Sequence, residues 1–273
     1  MNKTLWISDL DGTLLNKDKQ ISHTTEQIIN RMILEGENFT IATARTPATV
    51  GEMLQNLHMT MPVVVMNGAA IYHLKIQRYE HTLHLEKVQA GQIQNILEKH
   101  KKNAFIYTLY EDSLTTYYES LQNKHEVSFY EERKNKLHKR FIQEKVPEDA
   151  TILYFTIMGD ESVVKAIYEE GCLIKGIKCI YSQDVYDSSN YYLEIYHEKV
   201  SKAYAIAYLR KHYDFNRVIC FGDQVNDRDM FEVCEEKYAT ENAVSSIKHL
   251  ATAVIGHHHE DGVAKFIEEH RKK

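Results

Sequence analysis

The sequence predicts an α/β protein, with a parallel sheet core flanked by helices and a second α+β domain inserted into it. Three observations carry that expectation. Apolar runs at residues 5–7, 39–42, 62–66 and 217–221 are continuous rather than alternating, as in strands buried on both faces. Segments with apolar residues at helical spacing lie between them. From about residue 84 to 197 the chain turns rich in Tyr, Lys, Glu and His and its strands are less purely apolar. The expected division is therefore a core of residues 1–83 and 198–273 and an insertion of residues 84–197.

Each element has a local reason. After the opening strand, Ser22 can cap a helix whose apolar face is Ile28, Ile29, Met32 and Ile33, ending near Gly36. The strand at 39–42 leads into Thr43-Ala44-Arg45. Pro47 then suits the first position of a helix carrying Val50, Met53, Leu54 and Leu57. The strand at 62–66 ends in Asn67-Gly68. This strand–helix alternation is Rossmann-like. Within the insertion, residues 86–100 and 160–170 read as helices and 151–158 and 191–196 as strands. The closing part returns to the first style. It has a helix over 201–212, a strand over 217–221 ending in Gly222-Asp223, and a helix over 226–235 with Met230, Phe231, Val233 and Cys234 inward. Short strands near Tyr238 and Val254 and a helix from Gly262 follow.

The bulk properties exclude several classes. The 273 residues suffice for a sizeable core. A net charge of −6 argues against a general nucleic-acid partner, because phosphate backbones need a basic surface. No apolar run approaches the roughly 20 residues of a membrane span, and no signal-peptide pattern precedes the first strand. Cys172, Cys179, Cys220 and Cys234 lack paired short spacing and fit free thiols in a cytoplasmic protein.

Function is concentrated at strand ends. Asp9 and Asp11 flank Leu10 just after the first apolar run and before Gly12. On an extended backbone their side chains would point the same way, and two close carboxylates ask for a cation. An ordinary Asp–Gly turn is the plain alternative. A calcium loop is excluded, because Thr13 and Lys17 break the acidic alternation and Gln20 stands where such a loop needs Glu. Thr43 and Asp223 end two further apolar strands. Sites in open parallel sheets form outside the carboxyl ends of strands, so these groups converge there.

Asp9-Leu10-Asp11-Gly12-Thr13, then Thr43, Lys202 and Gly222-Asp223-Gln224-Val225-Asn226-Asp227 resemble, in order, the four motifs of the haloacid dehalogenase superfamily. The insertion resembles the C2-type cap of its Cof-like phosphatases. Asn67-Gly68-Ala69 and Glu260-Asp261-Gly262-Val263-Ala264 are similar to Cof-like sequences as well. The resemblance implies a Mg2+-dependent phosphatase acting on a small phosphorylated metabolite through an aspartyl-phosphate. It implies Asp9 as nucleophile, Asp11 as general acid and base, and Mg2+ held by Asp9, the main-chain carbonyl of Asp11 and Asp223. Thr43, Lys202, Asn226 and the backbone at Leu10 and Ala44 would grip phosphate. Asp227 would orient Lys202 or a metal-bound water.

A phosphomutase and a catalytically silent phosphate-binding protein are the alternatives; the large cap and the complete motif set argue against them. Two departures concern fine geometry. Ala44 stands where Gly is usual, and so does Glu241, where a left-handed backbone would cost on the order of 1 kcal/mol. Arg45 reads as a surface residue or a substrate contact. Tyr181, Tyr186, Tyr191 and Tyr192 would suit a hydroxylated substrate such as a sugar phosphate. His257-His258-His259 reads as a solvated loop near the site rim, with metal binding the alternative.

Overall fold

A computed structural model describes residues 3–136, 139–184 and 187–271, so Tyr186 lies outside the described residues. The chain forms two compact units, Met1–His81 with Ser201–Lys273 and Thr82–Val200. The junctions fall two residues before and three residues after the limits expected for the insertion.

The first unit opens with β1 (Thr4–Ser8), α1 (His23–Leu34), β2 (Asn38–Ile41), α2 (Pro47–Met53), β3 (Val63–Val65), β4 (Ala70–His73) and β5 (Arg78–Thr82). Unit two supplies α3 (Lys87–Lys99), β6 (Phe105–Tyr110), β7 (Ser113–Tyr117), α4 (Lys124–Glu131), β8 (Arg140–Ile142), β9 (Thr151–Gly159), α5 (Glu161–Gly171), β10 (Ile177–Gln183) and β11 (Tyr191–His197). The first unit resumes with α6 (Lys202–His212), β12 (Arg217–Gly222), α7 (Arg228–Val233), β13 (Glu236–Thr240), α8 (Ser245–Leu250), β14 (Ala253–Ile255) and α9 (Gly262–His270).

The first unit's main sheet has the order β14-β13-β12-β1-β2, every pair parallel. Leu5, Ile7, Val218 and Cys220 pack in one core with Ala205, Ile206 and Leu209 of α6 and Met230 and Phe231 of α7. Capping follows the sequence. Ser22 Oγ accepts from the Thr25 N–H at 3.0 Å, and Ser201 Oγ from the Tyr204 N–H at 2.9 Å. Parallel pairing places the ends of β1, β2 and β12 on one edge, so Asp9, Thr43 and Asp223 emerge together.

Three local expectations are corrected. The run at 62–66 does not extend the main sheet as a full ladder. One parallel bridge, Ala42 to Val64, joins it to β2, and β3 instead pairs antiparallel with β4 in a separate β3-β4-β5 sheet. The turn between β3 and β4 causes this, because Met66, Asn67 and Gly68 all have left-handed φ (53°, 56° and 95°) and reverse the chain. The helix expected over 226–235 is α7 preceded by a 3-10 turn at Val225–Asp227. Val233 ends it 41 % exposed rather than inward, while Cys234 is buried. Glu241 is not left-handed, so the strain expected there does not arise.

Unit two is built on the sheet β10-β11-β9-β6-β7-β8, antiparallel except for the β7–β8 pair. The core that α3 and α5 share with this sheet takes in Phe155, Ile157, Leu193 and Ile195. Tyr181 and Tyr191 stack at 5.6 Å against that same core, so two of the tyrosines expected to meet substrate are packing residues. Strand alternation puts Tyr154, Tyr192, Glu194 and Tyr196 on the opposite face. There Tyr107, Tyr154 and Tyr196 form a column with centroid spacings of 4.1 and 4.7 Å. Among the described residues no helix is long and apolar enough to cross a membrane.

Candidate active site

The chain leaves β1 at Ser8 and turns at once. Asp9 precedes a five-residue turn, Leu10–Leu14, in which Asp11 is extended (φ −74°, ψ 123°) and Gly12 has φ 74°. The Leu15 N–H closes the turn on the Leu10 carbonyl at 2.9 Å. A Cβ at position 12 would collide with the Asp223 carboxylate, so the turn requires glycine twice over, for its φ and for this approach.

Asp9 and Asp11 consequently have different surroundings, contrary to the expectation of a shared orientation. Asp9 is 5 % exposed, whereas the Asp11 side chain is 48 % exposed. Asp11 accepts two bonds from Arg45, from Nε at 2.7 Å and Nη2 at 2.6 Å. A planar guanidinium fixes a carboxylate's direction in a way that a lysine does not.

Lys202 organises the buried side. It is the first residue of α6 and only 1 % exposed. Its Nζ donates to Asp9 Oδ1 and to Asp227 Oδ1, both at 2.6 Å. A cation at a helix N-terminus opposes the helix dipole, and these two carboxylates offset that cost. Asp227 Oδ2 accepts the N–H groups of Asp223 (2.9 Å) and Gln224 (3.0 Å). Asp223 Oδ1 accepts from Thr13 Oγ1 at 2.9 Å.

Among the described residues, Asp9, Asp223 and Asp227 bring carboxylate oxygens within 4.8 Å of one another. Three buried carboxylates thus face one ammonium. Burial pushes the Asp9 carboxyl up to about 8; Lys202 pulls it down, and the charges of Asp227 and Asp223 push it further up. Burial likewise raises Asp223 to about 6, against the bond from Thr13. Burial alone would lower Lys202, but Asp227 and Asp9 raise it.

A hard divalent cation fits this donor set. The site offers oxygen ligands and an uncompensated negative charge, which is what such an ion requires. Both oxygens of Asp227 are already engaged, which leaves Asp9 and Asp223 as the carboxylates that could hold such an ion. The side chain of Asp11 lies outside the cluster, leaving only its main-chain carbonyl for such a role.

Thr43 is buried at the end of β2. Its N–H donates to the Val64 carbonyl, and its Oγ1 accepts the Arg45 N–H at 3.2 Å. The left-handed Met66–Gly68 turn ties this loop down, since the Met66 N–H reaches the Arg45 carbonyl and the Asn67 N–H the Thr43 carbonyl. A Cβ at Gly68 would collide with the Ser201 carbonyl, so the same turn also braces the start of α6. Leu10 is buried within the Leu10–Leu14 turn, whereas Ala44 and Asn226 are exposed. Sequence reasoning missed the roles of Thr13 and Arg45. Thr13 offered no signal beyond its place after Gly12, and Arg45 was separated from Asp11 by 33 residues.

Residues 6–267 match the family described as haloacid dehalogenase-like hydrolase. The chain belongs to this family. It is similar to a 5-amino-6-(5-phospho-D-ribitylamino)uracil phosphatase of Bacillus subtilis, 26 % identical over 96 % of this chain and 95 % of that one. It is equally similar, at 26 %, to a putative phosphatase of Haemophilus influenzae, with 96 % of each covered. Among solved structures, a haloacid dehalogenase-like hydrolase from Bacteroides thetaiotaomicron superposes with TM-score 0.79 at 22 % identity, covering 98 % of this chain and 99 % of that one. A Thermotoga maritima protein gives 0.80 at 21 %, covering 98 % and 97 %. The haloacid dehalogenase-like fold thus accounts for both units, and the enzyme class is that of a phosphatase, a hydrolase of phosphate esters.

Proposed function

We propose that this haloacid dehalogenase-like hydrolase is a Mg2+-dependent phosphatase that cleaves a small phosphomonoester through a phosphorylated Asp9. The observation that carries the reading is the buried carboxylate surplus, three carboxylates on one lysine, at the exit of parallel strands.

Lys202 holds Asp9 Oδ1, which leaves Oδ2 to attack phosphorus. The bond from phosphorus to the ester oxygen breaks as the Asp9–phosphorus bond forms. Asp11 gives its proton to the departing oxygen and later takes one from the water that hydrolyses the acyl phosphate. To do so it exchanges one of its two Arg45 bonds. The Lys202 ammonium, the Thr43 hydroxyl, the N–H groups of Leu10 and Ala44, and Asn226 bind phosphoryl oxygens in this reading. Mg2+, held by Asp9, Asp223 and the Asp11 carbonyl, would supply charge neutralisation to Asp9 and to the phosphoryl group.

Unit two carries specificity in this reading, since the groups above grip only phosphate. The phosphorylated ribitylaminouracil named for the Bacillus relatives is the most concrete candidate, being a polyol phosphate joined to an aromatic ring. The free thiols suit a cytoplasmic enzyme. An aryl phosphate incubated with protein and Mg2+ tests the chemistry, and a panel of phosphorylated metabolites tests the substrate. Release of phosphate that a chelator abolishes is expected. Turnover that a chelator leaves unchanged would refute the metal-dependent reading, and isomerised rather than hydrolysed substrate would refute the hydrolase.

A further inference from the structure

We propose that His257, His258 and His259 form a second metal site, selective for a borderline first-row transition ion such as Zn2+ or Co2+, whose occupancy bears on the catalytic turn. Their ring nitrogens lie within 4.8 Å of one another, and the rings are partly or fully open to solvent, so an ion can enter. His258 Nδ1 sits 2.7 Å from the Leu15 carbonyl oxygen. A carbonyl only accepts, so Nδ1 carries the proton and Nε2 keeps its lone pair. A backbone carbonyl holding the far ring nitrogen is how proteins orient metal-ligating histidines.

His257 Nδ1 accepts the His259 N–H at 3.1 Å. That long bond lies at the surface, and water can take the N–H when the nitrogen turns to a metal. His259 is exposed, and it enters that bond through its main chain. Imidazole nitrogens suit Zn2+, Co2+, Ni2+ and Cu2+ and suit Mg2+ poorly, whereas the carboxylates of Asp9 and Asp223 have the opposite preference. The two clusters would therefore sort ions by ligand chemistry.

The histidines are joined to the catalytic turn at two points. His258 holds the Leu15 carbonyl, and Leu15 closes the turn on Leu10. The His258 N–H also donates to Asn242 Oδ1 at 3.3 Å, and Asn242 Nδ2 donates to the Gly12 carbonyl at 2.7 Å. An ion that shifts the His258 ring pulls on Leu15, whose N–H closes the turn carrying Asp11.

The test is a Co2+ titration of untagged protein in excess Mg2+, followed by visible absorption and calorimetry. Wild type should bind one Co2+ that Mg2+ does not displace. In the His257→Gln/His259→Gln variant its affinity should fall at least about 10- to 100-fold, the scale seen even for loss of outer-shell partners. His259→Gln alone, at an exposed position, should give an intermediate loss. Absence of a Mg2+-resistant Co2+ in wild type, or equal affinity in the double variant, would overturn the site. These readings need no turnover, so they stand apart from the phosphatase proposal. Zn2+ at saturation should alter aryl phosphate turnover in wild type and not in the double variant, and equal responses would overturn the link to the turn.

Discussion

Lys102 and Lys202 are both buried lysines, one in each unit, and their partners differ. Among the described residues Lys102 forms an ion pair with Glu126 alone, and the second Glu126 oxygen accepts the Gln122 N–H at 2.5 Å. That pair is balanced, one charge against one. Lys202 instead faces Asp9 and Asp227, with Asp223 alongside. A balanced buried pair needs no ligand. A cluster with excess negative charge in the same degree of burial is unfavourable unless a proton or a cation offsets it. The comparison separates a structural ion pair from a site without reference to any motif.

The comparison can be broken most severely at Asp9. Asp9→Asn keeps an acceptor for Lys202 but removes the nucleophile, so turnover should fall by roughly 10^4-fold or more, the scale of losing a catalytic nucleophile. A folded variant that keeps substantial turnover in a phosphate-release assay would separate the cluster from the chemistry. Next come the lysines. Lys102→Met should cost about 3–5 kcal/mol in urea unfolding by stranding Glu126, and Lys102→Met/Glu126→Leu should recover most of it. Lys202→Met should also destabilise the protein, and no apolar replacement at Asp227 should restore activity, because the reacting carboxylate loses its orienting cation.

How much of this was legible in the chain depends on the kind of signal. The strand ends were, because continuous apolar runs followed by Asp9, Thr43 and Asp223 read locally. Two helices of unit two, α3 and α5, were expected from the sequence, and α4 was not. Residues 105–142 gave no elements, since β7 buries two adjacent threonines rather than alternating and β8 has only three residues. The burial of Lys202 was not legible either, because a lysine at a helix start is ordinarily solvated, and only the fold brings it to Asp9. The Arg45–Asp11 pair and the left-handed turn at Met66–Gly68 are likewise products of packing between distant segments.

Smaller effects sharpen the contrast. In chelator, Asp9 and Asp223 hold protons in the folded state that their unfolded forms release at lower pH. Raised folded-state pKa values of acids make stability fall as pH rises, from about pH 4 to pH 6 for Asp223 and to about pH 8 for Asp9. Asp9→Asn should therefore gain stability over wild type as pH climbs through that window, read by urea unfolding, and the gap should close with Mg2+. A gap independent of pH would remove the electrostatic argument. Arg45→Ala should cost only about 0–1 kcal/mol, as a partly exposed ion pair does. Its turnover should nonetheless drop measurably, because Asp11 loses its orientation.

The most direct measurement is Mg2+ binding by calorimetry near pH 7 in two buffers of different ionisation enthalpy. An Asp9 carboxyl raised to about 8 is largely protonated there and must ionise to take the ion. Binding should release between about half and one proton per Mg2+, the release should fade by about pH 9, and Asp9→Asn should abolish it. Failure to bind Mg2+ would contradict the assignment of the buried carboxylates to a metal, and binding with the same heat in both buffers would contradict a protonated Asp9.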